Sequence, residues 1–161
     1  MTIIVEDGTN ISGANSYISE ADLTAYATAR GITLVTGTEQ LLVKAMDYIE
    51  SLLYKGSKLT RDQGLQWPRY DVIIDGYYFN TTQIPQQLKN GLAECAIAID
   101  QDTDPLRNAP VLVSREKVDV IEVEYSPGSP QYEINRRIKN ALWKLLAAGG
   151  NSSNVCVVSK G

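Results

Sequence analysis

Apolar positions along the chain recur at helical spacing in four stretches, separated by polar segments rich in glycine and proline. The first, "YISEADLTAYATARG", carries its own start and stop signals. Ser19 is placed to cap the helix and Asp22 stands at its third position, a variant of the capping box. Ile18 and Leu23 have the spacing of a hydrophobic staple, and Arg30 with Gly31 after it suits the C-terminal end. The second stretch predicts a helix from about Thr38 to Tyr54, with Leu42, Ala45, Met46, Ile49 and Leu53 in one stripe widened by Leu41, Tyr48 and Leu52. The third predicts a helix opening at Pro85, whose missing N–H suits a first turn, with Leu88, Leu92, Cys95, Ala96 and Ile99 facing the core. The fourth opens at Ser129 and Pro130, puts Ile134, Ile138, Ala141, Leu142 and Leu145 on one face, and stops at Gly149.

Between the third and fourth helices, "VLVSREKVDVIEVEYSPG" alternates β-branched and charged residues as a half-exposed strand does. Its parity slips once, near Asp119 and Val120, which predicts a bulge or a tight reversal. After the fourth helix, "GGNSSN" reads as a linker and "VCVVSK" as a lone apolar segment. These patterns predict a mainly α protein: a small bundle of about four helices, with a short β-hairpin or bent strand and a C-terminal strand or arm. Residues 1–148 form the single domain and residues 149–161 the linker and arm.

Composition narrows the function classes. The 161 residues suit one domain, and a net charge of −4 argues against broad electrostatic capture of nucleic acid. No apolar run approaches a membrane span, and "MTIIVEDG" lacks the basic region and cleavage site of a signal peptide. Cys95 and Cys156 have neither metal nor redox spacing, and are read as reduced thiols in a cytoplasmic protein. There is no histidine, the commonest general base and metal ligand. "KGSKLT" lacks the glycine framework of a phosphate loop, no nucleophile sits in a recognisable elbow, and the acidic residues scatter as on solvated surfaces. An enzyme, a metal site and a cofactor are therefore not expected.

Three features point to contacts. Trp143 lies about 180° from the apolar stripe of its helix, near Arg136 and Lys139, at ~100° per residue. It is either covered by another part of the chain, an interface anchor, or a stacking platform for single-stranded nucleic acid. From Gln131 to Ala147, Arg136, Arg137, Lys139 and Lys144 stand against Glu133. The terminal Val155, Val157 and Val158 belong to a strand that pairs either at home or with a partner's sheet edge. In "GLQWPRYDVIIDGYY", Trp67 reads as a buried pin that fixes a long loop. Arg69 is either a structural donor to loop carbonyls or a contact to a neighbour, and Tyr77 and Tyr78 form an exposed aromatic turn.

Several of these segments together resemble a known family. "EDGTNISGANSYISEADLTAYATARG", "KAMDYIESL", "GLQWPRYDVIIDGYYFNTTQIPQQLKNGLAECAIAI" and "VSREKVDVIEVEY" are similar to tailed-phage and prophage proteins labelled DnaT-like single-stranded DNA-binding. The same pattern resembles the head-to-tail connector, or adaptor, proteins of long-tailed phages. The chain departs from it at Gly91, where alanine is usual, and at Asp119–Val120, where a glycine turn is usual. The connector resemblance implies a subunit, assembled in the host cytoplasm and residing in the virion neck, that forms a ring of twelve under the portal. Its partners would be the portal protein, copies of itself and a downstream neck or tail protein, with DNA only passing through and no membrane involved. The segment from Asn154 to Ser159 would take the role of a portal-gripping arm. The alternative is a single-stranded DNA-binding protein that accessorises replication.

Overall fold

The computed structural model describes residues 2–102 and 137–147. The expected bent strand between Val111 and Gly128, the start of the last helix, and the segment 149–161 lie outside these residues. What is described comprises four helices and two small antiparallel strand pairs, a mixed architecture rather than a plain helical bundle.

Helix α1 spans Glu20–Thr28 and begins as its sequence dictates. The Ser19 side chain accepts from the Asp22 N–H, and the Asp22 carboxylate accepts from the Ser19 N–H at 3.0 Å, closing the capping box. At its other end Gly31 takes φ +68°, while the N–H groups of Gly31 and Ile32 reach the carbonyls of Thr28 and Ala27. That pairing is the Schellman motif, which needs a left-handed residue where Gly31 stands.

Helix α2 spans Thr38–Glu50 and helix α3 spans Gln86–Asp100; the two pack on each other over much of their length. Leu41, Leu42, Ala45 and Ile49 of α2 and Leu88, Leu92, Cys95 and Ala96 of α3 are all fully buried in one core. Ala93, Ile97 and Ala98 are buried too, so α3 is covered on more than its predicted stripe. The second cover is α4, residues 137–142, which brings Ile138 and Leu142 into the core. Contact is close where α3 carries Gly91: a methyl group there would collide with the Leu142 side chain. The glycine departure noted in the sequence thus coincides with a close approach of α4 to α3.

Two helices end earlier than periodicity predicts. Helix α2 stops at Glu50 rather than Tyr54, and Leu53, expected in the stripe, is 65 % exposed. Helix α4 stops at Leu142 rather than continuing past Leu145. Both ends are redirected by one tertiary contact. Tyr54 and Leu146 form an antiparallel bridge, with Lys55 N–H donating to the Leu145 carbonyl at 2.9 Å and Ala147 N–H to the Leu53 carbonyl at 3.0 Å. These long-range bonds replace helical ones that the sequence pattern alone would have continued.

Between α2 and α3 lie four two-residue strands. β1 (Ser57–Lys58) pairs with β2 (Arg69–Tyr70), and β3 (Ile73–Ile74) pairs with β4 (Tyr77–Tyr78). The second pair is a hairpin turned by Asp75 and Gly76, with φ +53° and +87°. Two successive positive φ angles define the primed turn that matches strand twist, and Asp-Gly is a favoured sequence for it.

Candidate interaction surface

The loop before the hairpin is fixed from inside. Trp67 is fully buried and meets Tyr54 and Phe79 edge-on, each with ring centroids 6.0 Å away. Its backbone N–H donates to the Tyr17 hydroxyl at 3.1 Å. The Tyr17 hydroxyl in turn donates to the Glu50 carboxylate, which also accepts from the Gln66 N–H at 2.7 Å. Burial raises the Glu50 carboxyl above its ordinary value, against hydrogen bonds from Tyr17 and Gln66 that lower it. Burial and the neighbouring Glu50 charge raise the Tyr17 hydroxyl as well.

Arg69, read from sequence as either a donor to loop carbonyls or a contact to a neighbour, takes the first role and is not on the surface. It is 7 % exposed, and its guanidinium donates to the carbonyls of Lys55 and Gly56 at 2.8 Å, of Gln66 at 3.1 Å and of Tyr54 at 3.4 Å, and to the Gln66 side-chain oxygen at 2.9 Å. Its planar fork is committed to holding the loop together. A second internal clamp was missed from sequence. Glu6, read there as one of many solvated acids, is 2 % exposed and accepts from the N–H groups of Gly8, Asn10 and Ile11, each at 2.8 Å. The signal that could have found it is the pair of residues it serves. Gly8 and Asn10 both have positive φ, and an acid just before such a turn is placed to collect its N–H groups.

A cleft of about 340 Å³ lies between this N-terminal loop and the Asp62–Leu65 segment. The buried acid on its wall is Glu6, whose oxygens already face three N–H groups. Among the described residues no group of three metal-ligating side chains is present, and no helix is long and apolar enough to cross a membrane.

The outward aromatic residues are elsewhere. Trp143 is 62 % exposed, on the side of the chain that helical spacing assigned to it, although it sits one residue past the end of α4. Tyr77 and Tyr78 are 80 % and 77 % exposed. These two sites are neighbours. Lys144 bonds Asp75 of the hairpin turn at 2.6 Å, and the same ammonium lies 5.7 Å from the Trp143 ring centre. Leu53 joins them through the bond from Ala147, and Ile73 is half-exposed on β3. Trp143, Tyr77, Tyr78, Leu53 and Ile73 are thus exposed apolar side chains on segments joined by the Lys144–Asp75 and Ala147–Leu53 bonds.

The cations near Trp143 are partly occupied. Lys144 is paired with Asp75, and Arg137 lies 3.8 Å from Glu94, which also bonds the Tyr26 hydroxyl at 3.0 Å. Burial and Glu94 push the Tyr26 hydroxyl up to about 12. Lys139 is half-buried. Arg136, Val155, Val157 and Val158 lie outside the described residues.

The described residues define a protein of mixed helix and small-sheet architecture with exposed aromatic side chains at Trp143, Tyr77 and Tyr78. Comparison with known families is specific: the family described as "Putative DnaT-like ssDNA binding protein" matches residues 1–160, and the chain belongs to it. No curated protein and no solved structure matches the chain.

Proposed function

We propose that the protein is a structural assembly subunit of the tailed-phage head-to-tail connector. It would sit in a ring beneath the portal, extend the DNA channel and dock neck or tail proteins. The observation that carries this reading is the exposure of Trp143, Tyr77, Tyr78 and Leu53, with Trp143 tied to the hairpin turn through Lys144, on a body whose buried charged groups, Glu6 and Arg69, serve internal clamps. Large exposed aromatics beside paired cations suit a protein partner, because hot spots combine aromatic anchors with arginine and exclude water around them. Net acidity also suits a channel wall that lets a duplex slide, since like charge does not hold it.

The test mixes the pure protein with a portal ring and looks for a complex. Co-migration is expected; failure to bind any portal, together with a normal virion neck after deletion of the gene, would remove the reading.

A second reading has its own support. The family's description names single-stranded DNA binding, which speaks for that activity rather than for a connector. Trp143 beside Lys144 supplies one ring and one cation of a stacking platform. This reading predicts oligonucleotide binding that weakens steeply with salt and on Trp143→Ala. Undetectable binding at low salt would remove it.

A further inference from the structure

The exposed rings belong to two distant parts of the chain. Trp143 lies one residue past α4, and Tyr77 and Tyr78 form β4. The hairpin is secured at its base. There Val72 is fully buried, Phe79 packs edge-on against Trp67, and the Phe79 N–H donates to the Val72 carbonyl at 2.8 Å. Strands of two residues add little stability of their own. The tip is open: a side chain on Gly76 would meet nothing within 4 Å. The turn reaches back to the body through Asp75, whose carboxylate lies 2.6 Å from the Lys144 ammonium.

Lys144 is placed to act on both sets of rings. Its own stretch of chain is fixed, because its carbonyl accepts from the Lys55 ammonium at 2.7 Å and Leu146 bridges to Tyr54. The ammonium that bonds Asp75 also lies 5.7 Å from the centre of the Trp143 ring, within the range of cation–π attraction. One cation thus ties the indole to the hairpin turn. An ion pair with an exposed partner adds little to folding stability. It does restrict rings that a partner would otherwise have to order on binding, and that ordering is subtracted from affinity. We infer that the Lys144–Asp75 pair is a positioning device, holding Trp143 and the Tyr77–Tyr78 turn in one arrangement before a partner arrives and so setting how tightly it binds. For the partner itself, the portal, this rests on the proposed function.

The test uses the full chain with three substitutions. Lys144→Met keeps the aliphatic stem and removes the charge. Asp75→Asn removes the opposite charge and keeps a residue suited to the positive φ before Gly76. Lys144→Arg keeps the ion pair. Trp67 is fully buried, so fluorescence quenched by acrylamide comes from Trp143. The anisotropy of that quenchable emission should fall in Lys144→Met and in Asp75→Asn, and stay unchanged in Lys144→Arg. Affinity for a portal ring should drop about tenfold in each neutral variant and recover in Lys144→Arg, with the unfolding midpoint unchanged. The Lys144→Met/Asp75→Asn double variant should lose no more than either single one, because both remove the same pair. Anisotropy indifferent to the neutral substitutions, or affinity losses that add in the double variant, would overturn the inference. Absence of portal binding by the unsubstituted chain would instead count against the proposed function, and the anisotropy, which needs no portal, would still decide whether Lys144 and Asp75 position the ring.

Discussion

Trp67 and Trp143, the chain's two tryptophans, occupy opposite kinds of surroundings. Around Trp67, each neighbour is held by another: Tyr54 and Phe79 against its ring, Tyr17 on its backbone N–H, Glu50 on Tyr17, and Arg69 across four carbonyls. Around Trp143, one salt bridge ties Lys144 to the hairpin turn, and the aromatic rings themselves stand in solvent. Such a contrast separates a residue selected for the fold from one that the fold does not need. A buried ring is explained by what it touches in its own chain, whereas a ring that stands in solvent at the cost of apolar exposure is explained by what it touches elsewhere.

Substitution should split the two sites most sharply. Trp67→Ala should cost about 3–5 kcal/mol in urea unfolding, because the ring leaves a cavity in a packed core. Trp143→Ala should stay within about 0.5 kcal/mol, as surface changes usually do. Next in size is Arg69→Lys: losing the fork that spans four carbonyls and the Gln66 side-chain oxygen should cost about 2–3 kcal/mol by the same measurement. A smaller loss would mean that the loop is held mainly by Trp67.

Acid–base behaviour sharpens the comparison further. The Glu50 carboxyl is raised in the folded state above its ordinary 4.5, so the native protein binds that proton more tightly than the unfolded chain does. Its charge therefore brings no penalty below pH 4.5. Stability falls as pH rises from there through the raised folded value, and is level above it. Glu50→Gln should flatten that part of the stability–pH curve while keeping an acceptor for Tyr17 and Gln66. At the other site, Lys144→Ala should change stability by less than about 1 kcal/mol, since its partner Asp75 is exposed.

Much of the fold could be read from the sequence where the signal is local. The capping box at Ser19 and Asp22, the Gly31 stop and the Asp-Gly turn each act within a few residues, so the chain states them directly. The ends of α2 and α4 could not be read that way. Leu53 and Leu145 continue their stripes in phase, and what stops the helices is the bridge between Tyr54 and Leu146, far apart in the chain. The exposure of Trp143 came from helical spacing alone. For Arg69 the sequence left the carbonyl-donor role open beside a neighbour contact, and the burial of Glu6 could not be read, because its partners are backbone groups, which no side-chain pattern announces.

The central claim is that the exposed Trp143, Tyr77 and Tyr78 side chains are for a partner protein and not for the fold. The most direct measurement is the affinity of a Trp143→Ala/Tyr77→Ala double variant for a portal ring, taken beside its unfolding midpoint. The account predicts a loss of roughly a hundredfold or more in affinity, as for two hot-spot residues of about 1.5 kcal/mol each, with the midpoint unchanged. Portal binding as tight as that of the unsubstituted protein would contradict it.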